Sequence, residues 1–240
     1  MKAYLVAGMR SIWRLPMLAV VLLMINSGYQ MQETGNEQSS IKYLALGDSY
    51  TIGEQVAEAD RWPNQLATRL SEGSDLSFEP VQFIATTGWT TDELKKGIKE
   101  VKPAKGGYDV VSLLIGVNNQ YRGYPIAQFE KEFEQLLKQA ISYCKDKENV
   151  FVVSIPDYGV TPFAKSREPE KIDRELREYN ELSRQIAERH GIAFFDIYDI
   201  SKKATNDLSY VAGDQLHPSG KMYGEWADRV FPWLKKRLIQ

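Results

Sequence analysis

Ile41-Lys42-Tyr43-Leu44-Ala45-Leu46-Gly47-Asp48-Ser49-Tyr50-Thr51 is the stretch on which the fold turns. Ile41 to Leu46 is a short apolar run closed by a glycine and an aspartate, the form of a buried strand ended by a turn. Four more runs have the same form: Val81 to Ala85, Val110 to Ile115, Val150 to Ile155 and Ile192 to Phe195. Between them the apolar period lengthens. Ile126, Phe129, Phe133, Leu137, Ile141 and Cys144 recur at three- and four-residue spacing, and Ile172, Leu176, Tyr179, Ile186 and His190 fall on one face in the same way. Strands alternating with amphipathic helices predict an α/β fold, in which a mainly parallel five-stranded sheet is covered by helices on both faces. No internal repeat and no second domain are visible in residues 41–240.

Composition narrows the function. The chain has 240 residues, 43% of them hydrophobic and 26% charged, with a formal net charge of −2. No block of lysine or arginine forms a basic arm, so nucleic acid is not an expected partner. The single cysteine, Cys144, allows no intramolecular disulfide and no cysteine metal cluster, and its place in an apolar helical stripe predicts a buried core thiol.

The amino-terminal segment differs from the rest. Lys2, Arg10 and Arg14 precede an uncharged run from Leu15 to Ile25, followed by the small or polar Asn26, Ser27 and Gly28. The run is about half the roughly 20 residues that a helix needs to cross a bilayer. The expectation is therefore a signal peptide over residues 1–28 and export to the periplasm or the exterior, with no stable membrane span. An uncleaved anchor is the alternative, and Met9 is a possible second start. Residues 29–40 are polar and aperiodic, as in a linker.

In open α/β sheets ligands bind beyond the carboxyl ends of the strands. The residues found there are Gly47-Asp48-Ser49-Tyr50-Thr51 after the first strand, Thr86-Thr87-Gly88-Trp89-Thr90 after the second and Gly116-Val117-Asn118-Asn119 after the third. They are small, hydroxylated or amide residues, suited to a nucleophile and hydrogen-bond donors. An imidazole base must be one of two histidines. His190 ends an apolar helical stripe directly before Gly191, which reads as helix-terminal packing. His217 stands three residues after Asp214 and just before Pro218, close enough for the carboxylate to accept the Nδ1 proton and leave Nε2 free.

Taken in order, Gly47-Asp48-Ser49, Gly88, Gly116-x-Asn118 and Asp214-x-x-His217 resemble the four signature blocks of the SGNH, or GDSL-type, hydrolase family. The resemblance implies a three-layer α/β/α sandwich and a serine esterase or lipase that needs no cofactor and no metal. It assigns Ser49 as nucleophile, His217 as base and Asp214 as the group that orients the base. It places the oxyanion hole at the backbone N–H groups of Ser49 and Gly88 and the side-chain amide of Asn118. Tyr50 and Asn119 depart from the commoner Leu and Asp of the family. The first is expected to alter the pocket wall and the second a supporting hydrogen bond.

The substrate class implied is a small-molecule, lipid or glycan ester, and no residue selects the acyl chain or the alcohol. An acyltransferase on the same fold, or a non-catalytic glycan- or lipid-binding module, are the alternatives. Trp89, Tyr121, Tyr124, Tyr158 and Phe163 lie near strand ends, where some are expected to line the cleft. Residues 156–169 are expected to form a surface loop leaning over it. Asp196 and Asp199 read as capping or turn residues.

Overall fold

The computed structural model describes residues 40–239 except Gly73. The expected signal segment, 1–28, and all of the expected linker but Ser40 lie outside the described residues.

Five parallel strands form the sheet: β1 (Tyr43–Gly47), β2 (Gln82–Ala85), β3 (Val110–Leu114), β4 (Val150–Val153) and β5 (Ala193–Phe195), in the order β2-β1-β3-β4-β5. β1, β3 and β4 are buried throughout, as their unbroken apolar runs require for a sheet covered on both sides. Each strand matches its apolar run to within two residues at either end, and β1 runs one residue beyond it, through Gly47. Ile41 makes only an isolated bridge to Phe78 before the chain joins β1.

Register sorts the side chains by face. Ala45 pairs with Ser112, and Ser112 with Phe151, so Tyr43, Ser112, Phe151 and Phe195 share one face, where the Tyr43 hydroxyl donates to Ser112 Oγ at 2.9 Å. α2 (Trp62–Ser71) and α8 (Gly220–Leu238) cover it. Trp62 and Trp233 meet the Phe151 ring edge-on at 6.2 and 5.7 Å. Each fully buried large apolar side chain of this kind contributes about 1.5–3 kcal/mol. The opposite face is covered by α3 (Thr91–Val101), α5 (Ile126–Tyr143) and α6 (Pro169–Arg189). Phe129, Phe133 and Leu137 on α5 and Ile172, Leu176 and Ile186 on α6 are buried, the stripes read from the sequence.

Two residues differ in part from the expectation. Cys144 is buried but lies past the end of α5, extended at φ −81° and bridged to Tyr108, so its thiol packs beside the Asp109 carbonyl and not on a helix face. Burial pushes the thiol up to about 11. His190 caps α6 ahead of Gly191, which has φ +69° as a helix-ending glycine should, so its helix-terminal place is as expected; what differs is that Nε2 of its half-buried ring lies 2.9 Å from Glu134 Oε1 on α5.

A strand order of 2-1-3-4-5 places its topological switch point between β1 and β3. Ser49 directly follows the first of these strands and Gly116 and Asn118 the second. No helix among the described residues is long and apolar enough to cross a membrane.

Candidate active site

Beyond β1 the chain makes a single turn of helix, α1 (Ser49–Ile52). Asp48 caps it, with Oδ1 accepting the Tyr50 N–H at 3.0 Å. Gly47 is required here, because a Cβ would meet Thr51 Oγ1 at 2.0 Å and the Leu114 carbonyl oxygen at 2.4 Å. That close return of the chain fixes Ser49 just beyond the carboxyl end of β1, an inner strand. Asp48 is fully buried, and among the described residues its Oδ2 has no hydrogen-bond partner. Burial pushes its carboxyl up to about 7, only partly offset by nearby backbone N–H groups.

The base arrives from the other end of the chain. His217 Nδ1 lies 2.5 Å from Asp214 Oδ2, while Asp214 Oδ1 accepts the backbone N–H groups of Leu216 and His217 at 3.0 Å each. Burial acts to raise the Asp214 carboxyl, but these hydrogen bonds outweigh it and hold the group below its ordinary value. With Nδ1 engaged, Nε2 is the free ring nitrogen. Ser49 and His217, 4% and 8% exposed, line the same cleft of about 190 Å³. Among the described residues no hydrogen bond joins the Ser49 hydroxyl to the imidazole, a looseness common in unliganded serine sites.

The two asparagines after β3 divide their work. Asn118, on α4 (Val117–Tyr121), lines the cleft and donates one amide hydrogen to the Trp89 carbonyl at 3.0 Å, which leaves the other for the cleft. Asn119 is fully buried and holds the start of α3 reciprocally. It accepts the Thr91 N–H at 3.0 Å and donates to Thr91 Oγ1 at 2.8 Å.

Gly88 lies in the loop between β2 and α3 with φ +86°, a conformation that favours glycine. It is half-buried and is not among the residues that line the cleft. The backbone N–H groups of Ser49 and Gly88 make no hydrogen bond among the described residues.

Tyr121, Tyr158 and Phe163 form the far wall of the cleft, with Val117 and Leu216 beside them. Arg167 stacks behind that wall, 4.5 Å from the Phe163 ring centroid and 5.0 Å from that of Tyr121. Residues 156–169 thus contribute to the cleft, but they are not the surface loop expected: two short 3-10 turns, Tyr158–Val160 and Pro162–Ala164, leave most of residues 156–164 buried, and only 165–169 are exposed. The root of this segment is bolted by Lys202, whose Nζ lies 2.5 Å from both Asp157 Oδ2 and Asp173 Oδ1. Trp89 and Tyr124 serve elsewhere. A Cβ on Gly97 would strike the Trp89 ring at 2.2 Å, so that ring lies flat against α3, and the Tyr124 carbonyl accepts from the Tyr179 hydroxyl. Asp196 and Asp199 act as a turn acceptor for Ser154 and Tyr198 and as an ion-pair partner of Arg229.

The sequence matches the GDSL-like lipase/acylhydrolase model over residues 45–224, which takes in every block named above. This chain belongs to the GDSL-like lipase/acylhydrolase family. It is 22% identical over 225 residues to the uncharacterized protein YpmR of Bacillus subtilis (strain 168), covering 88% of each chain. Among solved structures, the fold is shared with a lipolytic G-D-S-L protein of Veillonella parvula (18% identity, TM-score 0.62, 80% of this chain and 97% of that one). It is shared with the acetylxylan esterase Axe2 of Geobacillus stearothermophilus (20%, 0.61, 82% and 94%) and the extracellular lipase of Streptomyces rimosus (18%, 0.60, 82% and 99%).

Within this GDSL-like hydrolase, the Tyr50 that stands in place of the commoner leucine packs edge-on against His217, with ring centroids 5.7 Å apart, and also lines the cleft. The supporting hydrogen bonds expected at Asn119 go to Thr91, and two features escaped sequence reading: the buried state of Asp48 and an arginine, Arg122, seated on the Gly88 carbonyl. The latter had a faint signal, since Arg122 stands one helical turn after Asn118. Among the described residues no group of three or more His, Cys, Asp or Glu side chains is placed to hold a metal ion.

Proposed function

We propose that this hydrolase is an exported serine esterase that cleaves carboxylic esters, acyl esters of lipids or acetylated carbohydrates, through an acyl-enzyme at Ser49. The observation that carries the reading is the His217 Nδ1 to Asp214 Oδ2 contact at 2.5 Å behind a ring that shares a cleft with Ser49. Asp214 fixes the tautomer, so Nε2 accepts the Ser49 hydroxyl proton as Oγ bonds to the ester carbonyl carbon. Charge that builds on the carbonyl oxygen is met by the N–H groups of Ser49 and Gly88 and by the Asn118 amide. The intermediate collapses, the alcohol leaves with the proton from His217, and water repeats the sequence to free the acid and Ser49.

The cleft supports a short acyl group. Its volume of about 190 Å³ is below the roughly 300–1,000 Å³ of sites that take drug-sized ligands, and the rings of Tyr50, Tyr121, Tyr158 and Phe163 line it. The basic and then apolar pattern of residues 1–28 supports export.

A fluorophosphonate probe is expected to label the purified protein at Ser49, and Ser49→Ala to abolish both labelling and hydrolysis of a short nitrophenyl ester. Labelling that survives the substitution overturns the assignment. A run with added acceptor alcohol separates transfer from hydrolysis by product. Mass spectrometry of protein recovered outside the cytoplasm is expected to find an amino terminus near Tyr29, and an intact one would overturn signal cleavage.

A further inference from the structure

The position of Gly88 poses a physical problem. A backbone N–H serves as an oxyanion donor only within about 2.7–3.1 Å of the developing charge, and it must be there before the reaction begins. Yet Gly88 carries no side chain to anchor it, and its loop neighbours Thr86 and Thr87 are exposed. Outside its chain neighbours, the sole atom among the described residues within 4 Å of where a Gly88 Cβ would stand is Nη2 of Arg122, at 3.6 Å. On the side where a side chain would stand, Gly88 therefore has little packed against it except this guanidinium.

Hydrogen bonds hold it at the carbonyl. Arg122 Nη2 donates to the Gly88 carbonyl oxygen at 2.6 Å. Its Nη1 lies 3.3 Å from both carboxylate oxygens of Glu93. Glu93 is itself fixed, because its carboxylate accepts the Thr90 N–H at 2.9 Å in the capping box that starts α3. The planar guanidinium thus spans the Glu93 carboxylate and the Gly88 carbonyl, a two-sided bridge that a lysine ammonium on a flexible stem does not reproduce. Arg122 in turn closes α4, its N–H donating to the Asn118 carbonyl at 3.0 Å. One short helix therefore grips the opposite loop at two successive carbonyls, Gly88 through Arg122 and Trp89 through Asn118.

We propose that Arg122 is a positioning residue that holds Gly88 in place as an oxyanion donor by clamping its carbonyl to Glu93. The proposal rests on the serine-esterase reading and on Gly88 as a donor within it. Arg122 touches no reacting atom. Its contribution is to keep the donor where charge will appear, so its loss should be felt in the transition state more than in substrate binding.

Steady-state kinetics on a short nitrophenyl ester test this with Arg122→Ala, Arg122→Lys and Ser49→Ala in parallel, with and without added ethylguanidinium. An oxyanion donor contributes about 10²–10³-fold, and misplacing one is expected to forfeit about 10- to 100-fold of kcat with KM within about threefold. Ethylguanidinium is expected to restore part of the kcat of Arg122→Ala at temperatures well below its Tm and to leave the wild type unchanged, while Arg122→Lys recovers less. A wild-type kcat in Arg122→Ala overturns the proposal. So does a rise confined to KM, which would make Arg122 a substrate contact, and so does a kcat loss that guanidinium does not relieve. An active Ser49→Ala variant instead overturns the underlying reading, whatever Arg122 does.

Discussion

The backbone N–H of Phe163 donates to the carbonyl oxygen of Gln215 at 3.1 Å, joining the pocket wall to the turn that carries the base. Gln215 occupies the left-handed region at φ +65°, an uncommon state for a residue with a side chain, and the bond from Phe163 helps to hold it there. Because the link is main-chain, the Phe163 ring can be removed without cutting it. Phe163→Ala is expected to shift the preferred nitrophenyl ester toward longer acyl chains while kcat on the acetyl ester stays within about threefold of wild type. A chain-length profile that does not move would show that the ring does not bound the acyl group.

The two histidines give a second, sharper contrast. Asp214→Asn retains the shape of the turn but favours the wrong imidazole tautomer, so kcat is expected to fall about 10⁴-fold, and His217→Ala to cost at least about 10³-fold. His190→Ala removes only a contact with Glu134 at the protein surface. A small fall in Tm with unchanged kcat is expected there, and equal kinetic losses at both histidines would contradict the assignment.

Asn118 and Asn119 should separate by what each loses. Asn118→Ala removes a donor from the cleft and is expected to lower kcat about 10²- to 10³-fold with little change in KM. Asn119→Ala strands the buried Thr91 N–H, a loss of about 1–3 kcal/mol, so it is expected to appear in thermal or urea unfolding first. If Asn119→Ala proved the more damaging change to kcat, the donor would have been assigned to the wrong residue.

Asp48 makes a prediction about pH and stability. Its folded-state value of about 7 stands above the ordinary carboxylate value, so the folded protein prefers the protonated acid. The contribution is fully present below about pH 4 and is lost as pH rises through 7, where an ionised carboxylate is buried with Oδ2 unpartnered. Asp48→Asn retains an acceptor for the Tyr50 N–H and carries no charge. Its Tm relative to wild type is expected to be higher at pH 8 than at pH 5, and a difference that is the same at both pH values would show that Asp48 does not titrate in this window.

Local sequence revealed what local forces decide. The apolar runs of β1, β3 and β4 were readable because strands buried on both faces carry little but apolar residues; Ser49 and Asn118 stood out in short motifs after strands, and Asp214 and His217 in a short motif just before the last helix. The departures sit at element ends. The helical period runs on through Cys144 and His190, but at those positions a bridge to Tyr108 and a contact with Glu134 take over. Contacts between distant segments leave no period to read. Arg122 and Glu93 are 29 residues apart, and nothing near either one announces the other.

The Lys202 bolt at the root of residues 156–169 has a consequence for how such an enzyme can change over generations. The groups assigned to bond making and breaking sit after β1, β2 and β3 and in the turn before α8, whereas the rings that bound the acyl group at Tyr158 and Phe163 stand on one separate segment. With Asp157, Lys202 and Asp173 anchoring that segment at its base, its tip can accept new residues while the anchor and the reacting groups stay put. Part of the cleft wall can thus vary apart from the reacting groups, while Tyr50, Val117, Tyr121 and Leu216, which share their segments with Ser49, Asn118 and His217, tie the rest of it to them.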